Sequence, residues 1–168
     1  MLENDYGLQL PRWLQVEFAK KVQARTEAVA RELQRNEIWE TFEQAYLNNP
    51  NLAALVSYKL ERNGSDQLTA VVCQQGKEWA LEASGKGSLH ALSQALQTRL
   101  GSPVHITEYS EHALSSGSEA KAATYLQVQV GEQTYAGVAI SEDTVSANLN
   151  ALLAAVSPAL LANNSAVT

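Results

Sequence analysis

The sequence predicts an α+β fold in which a helical N-terminal segment is followed by two pseudo-symmetric βββα units. Three observations carry this expectation. Apolar residues recur at helical spacing up to about residue 47. Past residue 52 they alternate with the two-residue period of strands. The order strand, strand, strand, helix then occurs twice, the second time 56 residues after the first.

The helical segment spans residues 11–47. Leu14, Phe18 and Val22 are spaced by four, and Val29 and Leu33 continue the stripe. Pro11 suits a first helical turn, where its missing N–H costs little. Asn36 is the candidate cap of a second short helix carrying Ile38, Trp39, Phe42 and Tyr46. Asn48-Asn49-Pro50-Asn51 reads as a stop and a turn. Strands are expected at 55–60, 68–73 and 79–83, separated by turn signals at Asn63-Gly64 and Gln75-Gly76. Residues 84–88, Ser-Gly-Lys-Gly-Ser, lead into a helix with Leu89, Leu92, Leu96 and Leu100 on one face, and Gly101 ends it.

The second copy has strands at 104–109, 123–130 and 133–140, with a loop at 115–118. Ser141-Glu142-Asp143 offers caps for a last helix with Val145, Leu149, Leu152 and Val156 inward; the tail after Pro158 reads as frayed. At the 56-residue offset Trp79 faces Tyr135, Leu89 faces Val145 and Leu96 faces Leu152. Ala80, Ala83, Ala91 and Ala95 each face another alanine. This is the pattern of an internal duplication, whose helices should cover one side of each sheet.

Composition narrows the function classes. A chain of 168 residues suits one domain, or one with a small appendage, and falls well short of the roughly 250 residues of a TIM barrel. With 45% apolar and 18% charged residues it is globular rather than disordered. A net charge of -6 argues against a nucleic-acid partner or an anionic membrane surface. No apolar run reaches the roughly 18 residues of a membrane span, and the N-terminus shows no signal-peptide pattern. Cys73 is the single cysteine, so no internal disulfide forms, and a cytoplasmic, reducing compartment is expected.

Chemistry-bearing motifs are few. His90, His105 and His112 have no metal-ligand spacing, and no metal site is expected. Glu111-His112 offers either a proton shuttle or, as the better reading, a surface or interface hydrogen bond. Cys73 reads as core. The Ser84–Ser88 turn stands out. Its two glycines permit close backbone approach, and the helix N-terminus behind it favours a carboxylate or phosphate. An ordinary strand-to-helix turn is the competing reading.

Three segments, Asp5–Arg12, Gly85–Leu89 and Tyr109–Leu114, together resemble 2-isopropylmalate synthase. Asp5-Tyr6-Gly7-Leu8-Gln9-Leu10-Pro11-Arg12 looks like the linker that follows its catalytic barrel. Gly85-Lys86-Gly87-Ser88-Leu89 is similar to the glycine turn of its regulatory domain. Tyr109-Ser110-Glu111-His112-Ala113-Leu114, with Gly117, Ala120 and Tyr125, resembles that domain's second half. The likeness continues in Gly137-Val138-Ala139-Ile140 and in residues 147–152.

The resemblance implies a helical linker subdomain at 1–50 and an allosteric dimerisation domain at 51–168. It implies a homodimer with L-leucine as effector near the dimer interface, and feedback inhibition of the condensation of acetyl-CoA with 2-oxoisovalerate in the catalytic barrel of the parent enzyme. The barrel would carry the divalent metal; this segment would carry neither cofactor nor catalytic residue. The implied effector site is Gly85, Gly87, Leu89, Ile106, Tyr109, Ala113, Ala120 and Ile140. An isoleucine-sensing citramalate synthase domain and a ligand-free dimerisation module remain as alternatives.

Overall fold

The computed structural model describes residue 2, residues 6–114 and residues 121–167, with side chains up to residue 163. Its main elements are α1 (Arg12–Val29), α2 (Arg35–Phe42) continued by a π-helical turn (Glu43–Leu47), β1 (Ala54–Asn63), β2 (Ser65–Gln74), β3 (Lys77–Gly85), α3 (Ser88–Leu100), β4 (Val104–Ala113), β5 (Ala122–Val130), β6 (Gln133–Ser141) and α4 (Thr144–Val167). The strands form two separate antiparallel sheets, β1-β2-β3 and β4-β5-β6. The βββα order therefore stands as the sequence predicts it, with strands longer than the alternating cores suggest.

The hairpins follow their turn chemistry. Gln75 and Gly76 both have positive φ (53° and 76°), the type I′ geometry that matches strand twist. Gly101 closes α3 in the left-handed conformation, its N–H donating to Gln97 O.

The helices form a layer between the two sheets. Residues 151–157 of α4 are buried one after another, so that helix is covered all round rather than along a stripe. It packs on β5 and β6 of its own unit and reaches across to β1, while α3 packs on β2 and β3 and reaches β4. Leu68, Val72, Leu92, Leu96, Leu126, Val128, Leu149, Leu152 and Leu153 form one core across all three layers. Over Thr144–Asn163, α4 is long and apolar enough on average to span a membrane, although Ser146, Asn148, Asn150 and Ser157 interrupt its apolar runs; here it is the central core helix.

Three sequence expectations are corrected. The helix does not fray at Pro158 but continues to Val167, with Leu160 only 1% exposed. Asn36 does not cap α2. Gln34 does, its N–H donating to the Glu37 carboxylate at 3.1 Å, and Asn36 lies inside the helix. Val29 at the end of α1 is 40% exposed, because the apolar stripe leaves the protein body before the helix ends.

The N-terminal segment covers the outer face of the second sheet. Leu8, Leu14, Phe18, Phe42 and Tyr46 make a second core with Ala123, Tyr125 and Val138. Phe18 meets Phe42 edge-on (5.3 Å, 87°), and Tyr46 donates to Glu17 at 2.5 Å. That explains why β5 is buried on both faces while the outer face of β1-β2-β3 (Lys59, Glu61, Gln67, Thr69, Glu82) is exposed.

The two units differ where they share a position. The inward pair Ala70–Leu81 of the first sheet corresponds to Leu126–Gly137 in the second, so the bulk has changed strands. A Cβ on Gly137 would lie 2.0 Å from Ala151 O, so α4 rests directly on the β6 backbone.

Candidate functional site: the unequal ends of two central helices

The first turn of any helix leaves N–H groups without intrahelical partners. At α4 the chain supplies its own answer. Asp143 accepts from Val145 N (3.0 Å) and Ser146 Oγ (2.8 Å), and Ala147 N donates to its carbonyl. The Tyr58 hydroxyl of β1 donates to the same carboxylate. The Tyr58 bond holds the Asp143 carboxyl below its ordinary range, and the carboxylate in turn raises the Tyr58 hydroxyl.

At α3 the equivalent of Asp143 is Gly87, and no side chain caps the helix. Gly87 has φ 104° and ψ 162°, a region open essentially to glycine alone, and a Cβ there would meet nothing within 4 Å. Gly85 has the opposite reason for being glycine. A Cβ would stand 2.5 Å from His90 Nδ1 and 2.8 Å from Ala91 N, because the end of β3 presses on the first turn of α3. Lys86 N donates to His90 Nδ1 at 2.9 Å, which folds the turn back onto the helix. Leu89 is partly buried against the central core.

The register of β4 carries it toward this end of α3. Val104 N donates to Gln97 Oε1 at 2.9 Å, near the far end of the helix. Five residues of strand advance roughly 16 Å, and the ten residues from Gln97 back to Gly87 retreat about 15 Å. Tyr109 therefore comes level with Gly87. The same relation holds in the other unit, where Leu55 N donates to Asn150 Oδ1 at 2.8 Å and Tyr58, three residues on, meets Asp143 at the start of α4.

Ile106 and Tyr109 share the inward face of the sheet only because of a β-bulge. Ile106 pairs with Val128 and Tyr109 with Leu126, both core residues, and the register slips between Ile106 and Glu108. Strict alternation would put them on opposite faces. Ala113 pairs with Ala122 on the same face, at the end of β4.

Tyr109 is 47% exposed. Its hydroxyl donates to Glu111 Oε2 at 2.6 Å and lies 3.3 Å from Asn148 Oδ1, which also accepts from Thr124 Oγ1 at 2.9 Å. Burial, and then the bond to Glu111, push the Tyr109 hydroxyl up to about 12, so it stays a donor at neutral pH.

Six of the eight residues implied by the resemblance thus belong to two elements that converge: Gly85, Gly87 and Leu89 around the start of α3, and Ile106, Tyr109 and Ala113 along β4. Ile140 lies apart. It pairs with Ala123 on the outer face and lines a cleft of about 280 Å³ with Tyr46, Leu47 and Leu52. Ala120 is outside the described residues. Sequence reasoning gave no role to Asn148 and Asn150, which it cites only within the resemblance, and none to Ser157. Their signal was available, as polar side chains in an otherwise apolar helix. Among the described residues no three His, Cys, Asp or Glu side chains gather as metal ligands do.

Comparison with known proteins decides the family. Residues 32–160 match the LeuA allosteric (dimerisation) domain. The chain belongs to this family. It is 38% identical over 95% of its length to a 2-isopropylmalate synthase of Parafrankia, 35% over 94% to one of Marinomonas, and 34% over 99% to one of Corynebacterium glutamicum. In each case it spans under a third of the relative's length (29%, 29% and 28%). A domain of the LeuA type is what two βββα units with a helical lead-in amount to here.

Proposed function

We propose that the chain is the leucine-sensing, dimerising regulatory part of a 2-isopropylmalate synthase, and that leucine bound between two copies inhibits the condensation of acetyl-CoA with 2-oxoisovalerate in the parent enzyme's catalytic barrel. The observation that carries the proposal is the contrast between Gly87 and Asp143. One unit closes its helix end with its own carboxylate; the other leaves the same place open, lined by glycine. The carboxylate of a free amino acid fits there as Asp143 fits in the second unit. Glu111 and Asn148 beside Tyr109 supply acceptors for the ammonium group. Leu89, Ile106 and Ala113 offer apolar surface to a branched side chain.

The half-exposed Tyr109 and the empty surroundings of Gly87 leave this region open in one copy, which supports closure by a second. Burying a leucine side chain contributes about 1.5–3 kcal/mol, and one methylene discriminates by about 1–3 kcal/mol. Leucine should therefore bind roughly tenfold tighter than valine. Titration calorimetry on the dimer tests this. No heat with millimolar leucine from a sample shown to be dimeric defeats the proposal, and tighter binding of isoleucine replaces leucine as the effector.

A further inference from the structure

We infer that His112 is a positioning residue that ties the effector strand to the N-terminal segment, so that ligand binding on one face of β4 is felt by the backbone at Gln9. The inference rests on the functional reading above. β4 serves two surfaces: Tyr109, Glu111 and Ala113 point inward to the candidate site, while His112, paired with Ala123, points outward to the N-terminal segment.

The imidazole holds both sides at once. Its Nδ1 lies 3.2 Å from the carbonyl of Ala113, a candidate site residue, and its Nε2 accepts from Gln9 N at 3.2 Å. Tyr125 completes the arrangement. Its hydroxyl lies 2.8 Å from His112 Nε2 and 3.3 Å from Gln9 N, and its ring stacks on the imidazole (5.5 Å, 12°). These contacts fit one tautomer, with the proton on Nδ1 donated to Ala113 O and Nε2 free to accept.

The N-terminal segment is also anchored just before Gln9. Leu8 is buried beside Tyr125 in the outer core, and Gly7, at φ +73°, passes close to the carbonyl of Leu114. A shift of the Ala113 carbonyl thus moves the ring that holds Gln9, two residues before Pro11 opens α1. No other described side chain bonds both to the backbone of β4 and to that of residues 7–10.

Hydrogen exchange of the Gln9 amide, followed by NMR with and without leucine alongside calorimetry, tests the inference on the intact chain. In the wild type, leucine should change the Gln9 exchange rate by fivefold or more, the lower end of ordinary allosteric coupling. His112→Phe keeps the stacking ring and removes the acceptor. It should bind leucine within threefold of the wild type while the Gln9 response disappears. His112→Gln places an amide oxygen about where Nε2 stands and so keeps the bond to Gln9, but it lacks the Nδ1–H that bonds Ala113 O and should lose the response as well. Leucine heat with an unchanged Gln9 rate in the wild type overturns this inference alone. So does a full response in either variant. Absence of leucine heat overturns the functional reading, and this inference with it. Should His112→Phe fail to fold, the wild-type response and His112→Gln still decide.

Discussion

Replacing Gly137 by alanine puts a methyl group where α4 already lies. The new Cβ would stand 2.0 Å from Ala151 O, 2.7 Å from Ala155 N and 2.8 Å from Ala155 Cβ. Two of these are backbone atoms, so no rotamer change relieves the clash. Restoring an ordinary contact of 3.4 Å to the carbonyl requires α4 to lift by about 1.4 Å, well over the 0.5–1 Å gap that already forfeits a quarter to a half of the dispersion energy of facing atoms. Leu152, Leu153, Ala155 and Val156 are at most 1% exposed, and all would share that loss. Overpacking costs typically 1–3 kcal/mol, and a helix enclosed by two sheets has little room to retreat. We expect Gly137→Ala to lose about 3 kcal/mol or more. With a urea dependence near 2 kcal/mol/M, the unfolding midpoint falls by about 1.5 M. Equilibrium urea denaturation followed by circular dichroism measures it. A loss below about 1 kcal/mol with unchanged slope would refute the direct seating of α4 on β6.

Three further outcomes follow from the helix ends and caps. Gly87→Asp gives α3 the carboxylate that α4 already has, in a strained conformation, and should abolish leucine binding while circular dichroism stays native; retained affinity would remove the turn from the site. Asp143→Ala removes the α4 cap and the partner of Tyr58, and should cost about 1–2 kcal/mol in the same urea experiment. The hydrogen bond from Arg31, with that from the Gln34 N–H, depresses Glu37 to about 2. A carboxylate depressed by folding contributes stability above its ordinary range and loses it as pH falls toward 2. The start of α2 should therefore loosen between about pH 4.5 and 2, seen as faster amide exchange at residues 35–38, and Glu37→Gln should remove that dependence.

Much of the architecture was legible because local and global preferences agree. Leu92, Leu96, Leu149, Leu152 and Val156 are buried as their spacing predicts, and Gly76 and Gly101 sit at the turns they signal. The failures have physical causes. Pro158 reads as a breaker, yet α4 is enclosed by tertiary packing, and the neighbouring Ser157 is tied to Leu153 O and to Ala53 N of the first sheet. Asn36 has the side chain of a cap, but Glu37 bonds Gln34 instead, an arrangement visible only once Arg31 is seen to hold that carboxylate. The bulge at Thr107 leaves no composition signal, so the shared face of Ile106 and Tyr109 could not be read from spacing. The outward position of Ile140 depends on pairing with Ala123, which is equally invisible in one dimension. The docking of Leu14 and Phe18 on the second sheet was hidden for a similar reason. Their partners Ala123, Tyr125 and Val138 lie more than a hundred residues away.

The burial of α4 between the sheets sets an order on synthesis. Backbone groups at Ala53 and Leu55 wait for Ser157 and Asn150, across sequence separations of 104 and 95 residues. A ribosome that has released the first sheet has made a surface whose covering has not yet been translated. Contacts so distant in sequence slow folding and leave apolar strands unprotected meanwhile. A nascent chain halted before residue 144 should therefore be prey to proteases and self-association, even though all six strands of the two sheets have been made.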